Sequence, residues 1–410
     1  MQAPIKINDF LYYIGVNDRE SPLFEKQWPL PNGVTYNSYL IKDKKTALLE
    51  CVHASKVRDF AENLEKALDG RPLDYIVIHH MEPDHSGSLR LIRRLYPEAK
   101  LVGNKKTYEF LENFYGYTSE GNVVVDTGDV LDLGDHQLTF VKTPMVHWPE
   151  SMISYEKSKG ILFSQDIFGT FGTLTSSIFD DEIVDAELWA PEMVRYYVNI
   201  VGKYSMMAVR SLKQLDGLTI KLICPLHGPI WRSEPEKVLR FYETLARQDV
   251  KEGACIVYGS MYGNTQTMAE YIAQKMGEYG IFDVKTFDVS KTHPSYLQTE
   301  IWKYRCMILG ACAYNNDLFP PMKTLLSILA ENKMSNHSIG VFGNYSWSGG
   351  AVSALKAFAE EQKYNFLQPV VEARSHPKEA DYKAMDQLAR AAAEDLKAHS
   401  EEDANTKFTF

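Results

Sequence analysis

The sequence predicts two successive domains: a mixed α+β or α/β layered half, then an α/β half built on an open parallel sheet. Three observations carry that reading. Short β-forming runs separated by turns dominate residues 1 to about 250. From Gly253 buried strands alternate with amphipathic helices, the grammar of a parallel sheet. At 410 residues and 45% hydrophobic content, the chain can bury two or three separate cores.

In the first half, "SYLIKDKKTALLE" (38–50), "YIVIH" (75–79), "NVVVDTGDVLDLGDHQLTFVKT" (122–143) and "GILFSQD" (160–166) read as β runs. Helices are expected at 55–69, stopped by Gly70, and at 88–95. In the second half, "ACIVYGS" (254–260), "CMILGAC" (306–312) and "SIGVFGNYS" (338–346) read as buried strands. "TMAEYIAQKMGEYG" (267–280) sets Met268, Tyr271, Ile272 and Met276 on one helical face. The boundary is expected near "ARQDVKEG" (246–253). It gives domains 1–250 and 251–400, with a polar tail, 401–410, that frays.

Net charge is −10, from 44 basic and 54 acidic residues, with no Lys/Arg block. Nucleic acid and anionic membrane surfaces are therefore not expected partners. The N-terminus lacks an apolar signal core and no apolar run reaches a membrane span, so a soluble, cytoplasmic protein is expected. The five cysteines form no CxxC pair, which excludes a rubredoxin or zinc-ribbon module here and points to reduced, mostly buried thiols.

"IVIHHMEPDHSG" (76–87) ends a strand in metal-binding side chains. Carboxylates at such a place are costly to desolvate unless a cation compensates them. In an extended segment His80, Glu82 and Asp84 face one way, and Pro83 discourages helix at Glu82. His85 can turn in with the following loop. His147 in "MVHWPES", Asp166 in "LFSQDIFG" and His227 in "ICPLHGP" each follow their own β-like run. Four imidazoles and three carboxylates exceed the needs of one tetrahedral ion and suit a binuclear site. Zinc hydrolases of this style carry HxHxDH. Here Glu82 takes the place of the middle histidine, and a hard anionic ligand favours iron or manganese. His79 alternates away and is expected to pack or hydrogen-bond beside the site. His53, His136, His293, His337, His376 and His399 read as surface or capping residues.

"YGSMYGNTQTMAEYI" (258–272) is strand, loop and helix start. Loop N–H groups and the helix N-terminus suit a phosphate, with hydroxyls of Ser260, Thr265 and Thr267 as added donors. With neither GxxxxGK[ST] nor GxGxxG present, a single phosphate, as in FMN, fits best. The candidate flavin residues are Ser260, Met261, Tyr262, Gly263, Asn264 and Thr265. Ala313, Tyr314, Asn315 and Asn316 follow the next buried strand. Asn344, Tyr345, Ser346, Trp347, Ser348 and Gly349 follow the third. Ligands bind at such strand ends in open α/β sheets. Tyr314, Tyr345 and Trp347 are candidate walls for a flat ring, and Gly349 and Gly350 would admit close backbone approach.

HxExDH with the later His, Asp and His, joined to an SMYGNT loop, resembles the flavodiiron protein family, also called A-type flavoproteins. The likeness reaches about residue 400. It implies a metallo-β-lactamase-like αβ/βα sandwich with a non-haem diiron centre, then a flavodoxin-like doubly wound parallel sheet with FMN. The family pattern falls on His80, Glu82 and His147 for one iron and on Asp84, His85 and His227 for the other, with Asp166 bridging. The counterpart of His85 is a ligand in some members and swings away in others. The resemblance further implies reduction of O2 to water, of NO to N2O, or both. It implies an external electron donor (rubredoxin, deazaflavin F420H2 or a flavoprotein) and a head-to-tail homodimer or dimer of dimers, each FMN facing the partner's irons. Trp347 and Met81 would pack at that junction, and Trp148 would line the iron pocket. The rival readings are a zinc-dependent hydrolase of the same sandwich fold fused to a flavodoxin module, and an electron-carrier protein whose sandwich half is only a docking scaffold.

Overall fold

The computed structural model describes residues 3–183, 186–400, 406 and 408, so the expected frayed tail lies outside the described residues except at two positions. The chain divides into two compact units between Glu243 and Thr244.

Among the described residues, the first unit holds a seven-stranded and a five-stranded sheet. In the first sheet, strands Leu11–Tyr13, Tyr39–Lys42 and Thr46–Leu49 pair antiparallel. Thr46–Leu49, Tyr75–Val77 and Lys100–Gly103 then pair parallel. The 38–50 run is thus a hairpin, with both strands buried because the sheet is covered on both faces. The second sheet runs Val130–Asp132, Gln137–Lys142, Met152–Glu156, Ile161–Gln165, Leu222–Pro225, and only its last pair is parallel. The sheets face each other: the Tyr39 ring meets Phe163 edge-on at 5.7 Å, and Tyr39 Oη donates to Pro225 O at 2.7 Å. The 55–69 segment resolves into a 3-10 turn, Ala54–Lys56, and the helix Val57–Leu68, which buries Phe60, Leu64 and Leu68 at i, i+4 and i+8. Asp69 and Gly70 end it with left-handed φ of 53° and 78°.

The second unit is a five-position parallel sheet in the order Val284–Asp288, Lys251–Gly259, Tyr304–Tyr314, Ser338–Tyr345, then the short Asn365–Phe366 and Val371–Arg374. Numbered along the chain this is 2-1-3-4-5, with the order reversing between Lys251–Gly259 and Tyr304–Tyr314. Helices Asn264–Glu278 and Glu379–Ala398 bury Met268, Ile272, Met276, Met385 and Leu388 in one core with the sheet. Tyr271, expected on the same face, packs at its edge and stacks edge-on against Tyr382 at 4.8 Å.

All five cysteines are free thiols and buried. No described helix is long and apolar enough to cross a membrane. His53 and His293 cap helices, each accepting a backbone N–H through Nδ1 at 3.2 Å. His337 departs from the surface expectation. It is buried, with its ring nitrogens against the carbonyls of Ser335 and Ile301, because it sits where the Ser338–Tyr345 strand enters the core.

Candidate functional site

Each chemistry-bearing residue sits where a strand ends. Tyr75–Val77 pairs on both sides, and the chain beyond it bends at His79 and carries His80 and Met81 onward. Pro83 then opens a one-turn helix, Pro83–Ser86, with Glu82 as its extended N-cap at φ −56° and ψ 139°. Alternation therefore aims His80 and Glu82 only. Asp84 and His85 arrive from the helical turn instead of the extended run expected for Asp84, because proline at the first helical position permits a turn as readily as it blocks helix before it. Ile161–Gln165 and Leu222–Pro225 run side by side in parallel, which brings Asp166 and His227 next to each other.

The seven side chains form two buried groups: His80, Glu82, His147 and Asp166, and Asp84, His85 and His227. Within each group the ligand-type atoms lie within 4.8 Å of one another. Glu82 Oε2 is 3.3 Å from His80 Nε2 and 2.9 Å from His147 Nε2. Asp166 stands between the groups. Its Oδ2 faces His80 and His147 Nε2 at 3.3 and 3.2 Å. Its Oδ1 faces His85 and His227 Nε2 at 3.2 and 3.5 Å. Asp84 Oδ2 is 3.3 Å from both His85 and His227 Nε2, so His85 points inward here.

This crowding shifts His80, His147 and Asp166. Burial opposes charge on His80, but Asp166, Glu150 and Glu82 outweigh it and hold its pKa well above the usual value. Burial likewise opposes charge on His147, yet Glu82 and Asp166 push it up to about 10. Burial would raise Asp166, whereas His85 and His80 beside it hold its carboxyl well below the ordinary range. Both oxygens of Asp84, both of Asp166, both ring nitrogens of His85 and Nε2 of His227 are buried with no hydrogen-bond partner. Such atoms are costly unless a cation satisfies them, and the mixed imidazole–carboxylate donor set fits a pair of iron or manganese ions. Rings border the site: Phe24 and Tyr196 stand 5.4 Å from His227, and Trp148 5.3 Å from His80.

In the second unit one pocket is lined by Ser260, Met261, Tyr262, Asn264, Thr265, Cys312, Ala313, Asn315, Asn316 and Asn344 through Ser348. Thr265 Oγ1 is buried without a partner at the N-terminal turn of Asn264–Glu278, a donor suited to a phosphate oxygen. Gly263, at φ 92°, caps that helix, and its N–H donates to Ser260 Oγ at 3.0 Å. Thr267 Oγ1 is not free for a ligand: it donates to Gly263 O at 3.1 Å. Asn315 and Asn316, at φ 49° and 61°, make the tight turn between Tyr314 and Asp317, a conformation that asparagine tolerates.

Tyr314 is half exposed and outside the pocket lining, whereas Tyr345 and Trp347 are in it. Met81 is fully buried, since its segment is held by the sheet and by Glu150, so it cannot pack at a surface junction. Gly350 is required by the chain itself: a Cβ there would meet Asn316 O at 2.4 Å. Sequence reasoning also missed Cys312 in the flavin pocket and Glu150 and Tyr196 beside the metal groups. Cys312 directly precedes Ala313 at a strand end, a signal that was available. Nothing in the spacing of Glu150 or Tyr196 marks them.

Residues 34–228 match a family described as ODP family beta lactamase, and residues 256–387 match the flavodoxin family. A nitric oxide reductase of Moorella thermoacetica is 33% identical over 370 residues, 90% of this chain and 92% of that one. The structure of rubredoxin oxygen:oxidoreductase from Desulfovibrio gigas superposes with a TM-score of 0.92 at 30% identity, covering 96% of this chain and 99% of that one. A mutant flavo di-iron protein of Thermotoga maritima matches at TM-score 0.86 and 26% identity over 94% of this chain and 96% of that one. With relatives this similar over nearly the full length of both chains, the protein belongs to the flavodiiron family of oxidoreductases.

Proposed function

We propose that the chain reduces O2 to water, NO to N2O, or both, at a pair of non-haem irons fed with electrons through FMN. The observation that carries this reading is the double cluster with Asp166 between its halves. His80, Glu82 and His147 are assigned to one iron, Asp84, His85 and His227 to the other, and Asp166 to both. Ser260 to Thr265, Ala313, Asn315, Asn316 and Asn344 to Ser348 are assigned to FMN, with Gly349 in the same loop.

When bound, the irons and FMN would supply the electrons, and the metal pair would hold one O2 for cleavage of its O–O bond or two NO molecules for N–N coupling. The chain's own residues set the conditions. The two Asp166 oxygens fix the spacing of the groups. Phe24, Tyr196 and Trp148 exclude water, which strengthens electrostatics inside. Tyr196 Oη has no partner, and burial with the Asp166, Asp84 and Glu82 charges holds its pKa well above the ordinary value, so it stays a hydrogen-bond donor. Glu82, rather than a histidine, speaks against a zinc hydrolase.

Electrons are proposed to come from an external donor: rubredoxin, deazaflavin F420H2 or a flavoprotein. A cytoplasmic location and a head-to-tail homodimer or dimer of dimers belong to the same proposal. Iron and flavin analysis followed by anaerobic stopped-flow of the reduced protein against O2 and NO separately tests it. Reoxidation by at least one gas is expected. Two zincs, no flavin spectrum and no reoxidation would sink it.

A further inference from the structure

Two buried glutamates hold consecutive histidines in the same way. Glu50 Oε1 accepts from the backbone N–H of His79 and lies 2.9 Å from His79 Nδ1. Glu150 Oε1 lies 2.9 Å from His80 Nδ1 and accepts from Met81 N–H at 2.8 Å. Both residues are 1% exposed, and the second oxygen of each is buried without a partner. Each is itself anchored: Ser38 Oγ donates to Glu50 O at 2.8 Å, and Asn104 Nδ2 to Glu150 O at 2.6 Å.

The consequences differ because the histidines differ. His79 Nε2 meets Ser154 Oγ at 2.9 Å, so Glu50 acts on a structural imidazole. His80 Nε2 faces Glu82 and Asp166, so Glu150 acts on a side chain of the first metal group. In the second group His227 Nδ1 meets only the neutral carbonyl of Thr35, at 2.6 Å, and His85 Nδ1 has no partner. A carboxylate on the far nitrogen fixes the imidazole's tautomer and orientation and raises its strength as a ligand.

We infer that Glu150 is a positioning residue that makes the two metal positions unequal: it locks His80 with Nε2 free for the ion and gives that position an anionic neighbour the other lacks. Resting on the proposed diiron function, this predicts that the iron beside His80 favours the ferric state more strongly than its partner. Each couple is one electron, ferric to ferrous.

Glu150→Gln tests it, keeping an acceptor for both N–H groups and removing the charge. In the iron- and FMN-loaded protein, a dithionite titration followed by EPR reads the potential of each iron. One potential should rise by about 59 mV or more, a tenfold change in a one-electron equilibrium, and the other by less than half as much. Glu50→Gln, paired with the imidazole outside the metal groups, should shift neither. Glu150→Gln potentials that both stay in place, or that move together, overturn the inference. If Glu150→Gln loads iron poorly, anaerobic titration of its metal-free form with ferrous iron decides instead. Weakening by about 10–100-fold at one position supports the inference, and equal weakening at both overturns it. Iron analysis of the unaltered protein separates this failure from that of the function: no iron there would defeat the diiron reading itself.

Discussion

Asp166 is the side chain whose loss is expected to cost most. Asp166→Ala leaves each metal group without the carboxylate it shares, so turnover with both gases should vanish in stopped-flow assays. His85→Ala removes one imidazole from a group that keeps Asp84, His227 and Asp166, so a smaller loss is expected. Equal losses would show that His85 carries as much of the site as Asp166. A second residue-scale prediction lies away from the metals. Burial lowers the pKa of His337 below its usual 6.5, although the Ser335 and Ile301 carbonyls resist that. The unfolded chain then takes up the proton first. Stability contributed by neutral His337 is intact above the unfolded value and is lost as pH falls through it toward the lower native pKa. Stability of the second unit in urea unfolding should therefore fall as pH drops below the unfolded value of about 6.5, and His337→Asn should flatten that slope. An unchanged slope would mean that His337 titrates normally. Glu150 shows why such residues escape sequence reading: a glutamate in "HWPES" has no spacing to mark it, and only the folded chain brings it to His80.

The strand ends were legible because apolar runs and the polar residues after them share one cause: a strand buried on both faces can expose chemistry only where it stops. Asp166, His227 and the three flavin loops follow that rule, while His147 comes from the loop after the half-exposed strand Gln137–Lys142. The one-turn helix at Pro83 was not legible, since the residue that forbids helix before itself is also a favoured first helical residue. The Asn264–Glu278 helix carries its own prediction. Replacing Asn264 and Thr265 with glutamate puts negative charge where the helix N-terminus favours a phosphate. FMN should be lost, read as the disappearance of the yellow absorbance, while iron content stays. Retained flavin would remove this turn from the binding site. Leu388 on Glu379–Ala398 is fully buried against that helix's core. Leu388→Ala should cost about 2–5 kcal/mol in denaturant unfolding of the second unit, and a loss below about 1 kcal/mol would mean that the site relaxes fully.

At the scale of the whole molecule, two units with separate cores should release their cofactors separately. Chelation under reducing conditions should strip about two irons per chain and leave about one FMN. Iron and flavin that always leave together would contradict sites held by separate units. Assembly is tested by mixing two inactive variants, one lacking flavin through Asn264 and Thr265, the other lacking one iron through His80→Ala and His147→Ala. Partial recovery of O2 reduction after subunit exchange is expected if electrons cross between chains. No recovery, with exchange shown by mass spectrometry, would place the transfer within one chain. The buried cysteines add a consequence of a different kind. Burial pushes the Cys306 thiol up to about 12 and raises Cys51, Cys224, Cys255 and Cys312 as well, so few thiolates exist at neutral pH. A catalyst that meets oxygen or nitric oxide thereby keeps its thiols largely out of their reach, and tolerance to its own substrates is written into its cores. Cys312 differs in lining the flavin pocket. Native holoprotein should resist iodoacetamide at all five positions, and flavin-free protein should take label first at Cys312, read by peptide mass, making that thiol a chemical gauge of flavin occupancy.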